Sequence, residues 1–97
     1  MPKRYFVYIL SSPNRQTLYI GSTSSLALRV SQHKDKLVDS FTSKYNCSEL
    51  VYYEELSSAE EMVKRERQLK NWHRDWKTNL ILEFNPKWED LYESILH

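Results

Sequence analysis

Tyr5-Phe6-Val7-Tyr8-Ile9-Leu10, and after it Thr17-Leu18-Tyr19-Ile20-Gly21, are the stretches whose reading decides the fold. The first is an unbroken aromatic and β-branched run, too short for a helix and typical of a strand buried on both faces. Between the two runs, Ser11 to Gln16 contains Pro13 and Asn14, which is turn chemistry. The second run therefore returns beside the first as a hairpin. Gly21, its last residue, is the chain's single glycine.

Working outward, Ser22 to Ser25 supplies several N-cap candidates. Leu26, Val30, His33 and Leu37 then recur on one helical face. Val38 to Ser48 is mixed, with room for a short helix, and Leu50 to Glu54 reads as a third strand. Ser57 with Glu60, and Ser58 with Glu61, form overlapping capping boxes at the start of a long helical segment. No Pro or Gly interrupts that segment before Pro86, and one break is predicted near Asn71 to Arg74. Asn85 is predicted to cap a last helix with Pro86 in its first position. Trp88, Leu91, Tyr92 and Ile95 would be its apolar face. This order implies an α+β fold, a small sheet covered by helices, with residues 1–97 forming one domain.

Three Trp, seven Tyr, three Phe and 28% charged residues describe a globular chain. No apolar run is long enough to span a membrane, and Tyr5 to Leu10 is too short for a secretory leader. The lone cysteine, Cys47, cannot form an internal disulfide, so a cytoplasmic setting is expected. A net charge of +1 announces no partner. Locally, however, Lys64, Arg65, Arg67, Lys70, Arg74 and Lys77 face only Glu66 and Asp75, a segment compatible with phosphate binding or with a solvated helix face. One glycine excludes a P-loop, a dinucleotide fingerprint and any glycine-rich phosphate cradle. No Cys/His zinc spacing exists.

Three groups look chemical. Glu66 lies within the apolar stripe Ala59, Met62, Val63, Leu69 and Trp76. A desolvated carboxylate needs compensation, so Glu66 is a metal ligand, the partner of a nearby arginine in a half-buried ion pair, or an edge position facing water. Arg29 and His33, four apart, project from one side of the first helix. By themselves, packing or a carbonyl cap accounts for His33, and solvation for Arg29. Tyr8 and Tyr19 stand on the hairpin, with Gly21 on the face of Tyr19 and clearing space beside that ring. Strand tyrosines also serve as core.

Taken in order, Phe6-Val7-Tyr8, Tyr19-Ile20-Gly21 and Leu26-x-x-Arg29-x-x-x-His33 resemble the GIY-YIG nuclease superfamily. The stretch Lys64-Arg65-Glu66-Arg67-Gln68-Leu69-Lys70-x-Trp72-x-Arg74 is similar to that superfamily's metal-ligand helix. Phe41-Thr42-x-Lys44-Tyr45, Leu50-Val51-Tyr52-Tyr53-Glu54 and Asn85-Pro86-x-Trp88-x-Asp90-Leu91 resemble its small stand-alone bacterial members of the UvrC-like or URI type. Phe6 stands where the name-giving glycine sits, Leu28 where relatives often carry a second arginine, and His73 where some have a small capping residue.

The resemblance implies a small three-stranded antiparallel sheet flanked by helices, with extra C-terminal helices. It also implies a metal-dependent endonuclease. Tyr8 or Tyr19 would be the general base, read here as Tyr8 with Tyr19 its hydrogen-bonding and positioning partner, Arg29 the phosphate grip and His33 the group orienting water or phosphate. Glu66 would hold one Mg²⁺ or Mn²⁺, and Gly21 would be the structural glycine of the motif. Lys44 and Tyr45, and Arg67, Lys70 and Arg74 on one flank of the metal helix, would contact the nucleic-acid backbone. DNA is the expected partner and no membrane is; DNA repair is one setting, and a separate protein could supply targeting. The alternatives are a non-cleaving, structure-specific nucleic-acid-binding module of the same fold, and a protein-interaction domain docking through Trp72, Trp76 and Trp88.

Overall fold

The computed structural model describes residues 3–37 and 40–96. It is α+β: strand β1 (Tyr5–Ser11), strand β2 (Leu18–Thr23), helix α1 (Leu26–Lys34), helix α2 (Ser40–Tyr45), strand β3 (Glu49–Leu56), helix α3 (Ala59–Asn71), helix α4 (Arg74–Phe84) and a 3₁₀ turn (Glu93–Ile95). The three strands form one antiparallel sheet in the order β2-β1-β3. No helix among the described residues is long and apolar enough to cross a membrane.

The continuous apolar run in β1 has the predicted cause, because helices or chain cover both faces of the sheet. Val7, Ile9 and Ile20 join Leu69 of α3 and Ile81 of α4 in one core. Phe6, Tyr8 and Leu10 join Leu26 and Val30 of α1 in another. Leu69, Ile81 and Val30 are wholly buried, and each such side chain contributes about 1.5–3 kcal/mol. A bulge in β3 opposite Ile9 and Leu10 shifts the alternation, so Val51 and Tyr52, neighbours in sequence, both enter the first core.

The β1–β2 turn is stitched by Asn14, whose Oδ1 accepts from the Ser12 hydroxyl at 2.6 Å and from the Gln16 amide at 3.0 Å. Of the two candidate caps, Ser58 is the N-cap, its hydroxyl accepting from the Glu61 amide at 3.1 Å. The predicted break is at Trp72, where the backbone turns extended and the indole packs against the first core. The apolar stripe of α3 is narrower than expected: Trp76 belongs to α4 and is 54% exposed, and Val63 is also exposed. Leu37 is likewise exposed, because α1 stops at Lys34. Val38 and Asp39, within the segment read as mixed, lie outside the described residues.

The last predicted helix does not form. Asn85 is instead the C-cap of α4, and its side chain is a bracket: Nδ2 donates to the carbonyls of Val51 (3.1 Å) and Glu89 (2.7 Å), while Oδ1 accepts from the Glu89 amide (3.1 Å). Trp88 then takes a left-handed backbone, φ 54°, and its Nε1 donates to Ser11 Oγ at 3.1 Å. Asp90 accepts from the Leu50 amide, and the Leu91 amide donates to the Leu50 carbonyl. The bulged part of β3 thus finds its hydrogen-bond partners in residues 85–91, and a helix there would forfeit them. Trp88 belongs to the first core, whereas Leu91, Tyr92 and Ile95 pack against the second. This segment wraps the β3 edge of the sheet.

Candidate active site at the β2 edge

The opposite edge, β2, carries the chemistry. Tyr8 and Gly21 are directly opposed in the β1–β2 ladder. The buried phenol of Tyr8 reaches His33 of α1, with Oη 3.1 Å from Nε2. The other ring nitrogen, Nδ1, lies 3.0 Å from Thr42 Oγ1 of α2. Tyr8, Tyr19 and His33 form a triangle of rings, their centroids 5.3 to 6.4 Å apart. Arg29, one turn before His33, is half-buried, and its guanidinium makes no ion pair or hydrogen bond with the other described residues.

Glu66 arrives from the other face of the sheet, on α3. Its Oε1 accepts from the Ser22 hydroxyl, and Lys70 Nζ stands 2.7 Å from Oε2. Burial pushes the carboxyl's pKa up. The hydrogen bonds from Lys70 and Ser22 and the Lys70 charge outweigh that and hold it below its ordinary value. Glu66 is thus a carboxylate at neutral pH. Because β2 is an edge strand and Gly21 has no side chain, groups from both faces share one cavity of about 330 Å³. It is lined by Tyr8, Tyr19, Gly21, Ser22, Arg29, His33 and Glu66.

No group of three His, Cys, Asp or Glu side chains among the described residues could hold a metal by itself. A single ionised carboxylate facing an open, polar cavity suits a hard cation that keeps several waters and borrows ligands from a phosphate, as Mg²⁺ does. Both Glu66 oxygens are already engaged, so a cation approaching Oε2 competes with Lys70.

The secondary candidates divide. Lys44 and Tyr45 are exposed on α2, with the ammonium 5.4 Å from the ring centroid. Arg67 and Lys70 line a groove that continues from Glu66. Arg74 does not share their flank: it opens α4, beyond the break, and its guanidinium donates to the carbonyls of Gln16 and Arg15, bracing the β1–β2 turn. Of the tryptophans, Trp88 is core and Trp72 partly so, which leaves only Trp76 largely exposed.

Three residues escaped sequence reasoning. Ser22 holds Glu66, Thr42 holds His33, and Phe41 packs its ring 6.3 Å from that of Tyr19. Ser22 follows Gly21 and so faces the α3 side, a placement the period-2 rule offers once α3 is assigned to that face. Thr42 lies in a stretch that resembles small stand-alone members, but nothing in the sequence pairs it with His33, because that partner lies across a helix–helix contact.

Residues 4–79 match the family described as the GIY-YIG catalytic domain, a span holding every site residue named above. Similar proteins include a UPF0213 protein of Staphylococcus epidermidis, 32% identical over 80 residues, covering 82% of this chain and 96% of that one. A UPF0213 protein of Staphylococcus haemolyticus is 30% identical with the same coverage. One from Natronomonas pharaonis is 30% identical over 83 residues, covering 86% of this chain and 96% of its own length. No solved structure matches. The family is generally one of endonucleases, and its model, its extent here and these relatives agree that the chain belongs to the GIY-YIG catalytic-domain family.

Proposed function

We propose that this chain is an endonuclease that hydrolyses phosphodiester bonds in DNA, with one Mg²⁺ or Mn²⁺ held by Glu66. The carrying observation is the shared cavity at the β2 edge, where two phenols, an imidazole, a guanidinium and an ionised carboxylate meet.

Hydrolysis needs a deprotonated water, a gripped phosphate and a stabilised leaving oxygen. A phenol free in water titrates near 10 and is a poor base at neutral pH. Tyr8 has its remedy at 3.1 Å: His33 Nε2 accepts the phenolic proton as Tyr8 takes one from water. Thr42, at Nδ1, fixes the ring's orientation. Tyr19, beside both rings, positions the water. Arg29, whose guanidinium is engaged by no other described residue, is available for bidentate contact with the scissile phosphate. A divalent ion, when bound, neutralises charge on the phosphate and on the leaving 3′ oxygen. Arg67 and Lys70 extend the phosphate path. The same reading takes the whole chain as one nuclease unit, resident in the cytoplasm, with DNA repair as one setting.

The test is cleavage of labelled single-stranded, duplex, flap and branched oligonucleotides with Mg²⁺, Mn²⁺ or EDTA. Tyr8→Phe, Arg29→Ala and Glu66→Ala are each expected to lose about 10²-fold or more while staying folded. Salt-sensitive binding without any product would instead identify a non-cleaving module. Three variants that cut like the parent chain would refute the site.

A further inference from the structure

We propose that Phe41 and Tyr45 form a stacking shelf for an unpaired DNA base beside the scissile phosphate, so that the substrate is single-stranded at the cut. This rests on the nuclease reading above and adds a substrate class to it.

The observation is a chain of rings leading out of the cavity. Tyr19 lines the cavity; the Phe41 ring lies 6.3 Å from it, and the Tyr45 ring 4.8 Å from Phe41. Phe41 and Tyr45 are four apart on α2, so they stack on one side of that helix. Both remain in contact with water, at 42% and 44% exposure.

Charge separates a nucleic acid from an apolar protein partner. Lys44 stands against the Tyr45 ring, and Arg29 lines the adjoining cavity. Cations interleaved with aromatic rings fit a strand whose bases are flat and whose backbone is anionic. Geometry separates single strand from duplex. Inside a duplex both faces of every base are covered by neighbouring pairs, so a protein ring gains no face to stack on. A splayed base next to the gripped phosphate offers one.

The experiment is binding of the full chain, in EDTA, to an oligodeoxynucleotide carrying 2-aminopurine, as single strand and as duplex. Single-strand binding should be the tighter and should quench the 2-aminopurine. Phe41→Ala and Tyr45→Leu, the latter keeping apolar bulk without a ring, should each weaken single-strand binding about ten-fold and abolish the quench, with duplex binding changed by less than about two-fold. Tyr45→Phe should behave as the parent. Equal losses on both substrates, or an unchanged quench in both variants, overturn the shelf and leave the nuclease reading standing. No binding to either oligonucleotide overturns both.

Discussion

The Tyr8 phenol fills the space that a side chain on Gly21 would need. A Cβ at Gly21 would stand 2.5 Å from Tyr8 Oη and 2.6 Å from Cζ, with Tyr19 Cε2 at 3.1 Å. The φ of Gly21 is not positive, so the position requires absence of bulk and not backbone freedom. Sequence reading gave the glycine to Tyr19, along the strand; the closer demand comes from Tyr8, across it. Gly21→Ala should push the phenol off His33, lower stability by about 1–3 kcal/mol through overpacking, and reduce cleavage by about 10²-fold. Thermal melting and rate should both fall. A variant that melts lower yet cuts normally would detach Tyr8 from the chemistry.

Thr42 is buried with its hydroxyl against His33 Nδ1. Thr42→Val keeps the shape and removes the hydroxyl that faces Nδ1, so urea unfolding should show a loss of about 0.5–1.5 kcal/mol for the missing hydrogen bond. Thr42→Ser should restore most of it. Nitrogen chemical shifts of the His33 ring should show a changed tautomer balance in the valine variant. Unchanged shifts would mean that Thr42 does not orient the ring.

The fold was legible wherever local chemistry decides it: the hairpin, the Ser58 cap and the break before α4 all rest on residues near in sequence. That Tyr8, Tyr19, Arg29, His33 and Glu66 line one cavity was foreseeable because they hang on regular elements with known periods. Residues 85–95 were misread because a capping Asn and a following Pro are helix signals, and only the β3 bulge, a tertiary feature, makes Asn85 a bracket instead. Arg74 was misread for a related reason: beyond the break at Trp72, helical spacing from Arg67 no longer says where a side chain lies.

Lys70 and an incoming cation compete for Glu66 Oε2. Lys70→Met should therefore strengthen Mn²⁺ binding by about two-fold, read by calorimetry on the protein alone, since an i,i+4 pair is worth only about half a kcal/mol. DNA binding in EDTA should move the opposite way, because a cation on the phosphate path is lost. Glu66→Gln should abolish Mn²⁺ binding. Weaker Mn²⁺ binding in Lys70→Met would show that the lysine supports the ion's site and does not contend for it.

Tyr52 gives a readout independent of any nuclease activity. Burial is the main cause, with the hydrogen bond to Glu54 and the Glu54 charge adding to it; together they push the phenol's pKa up to about 12, against the opposing pull of Arg65. The folded value lies above the unfolded one, so the neutral phenol's contribution to stability is complete below about pH 10. It should disappear as pH rises through about 12. An alkaline absorbance titration should show a late step that Tyr52→Phe removes. Glu54→Gln should bring it only part of the way back toward 10, because burial is the larger cause and remains. A full return in Glu54→Gln would make the carboxylate, and not the core, the controlling influence at this face of the sheet.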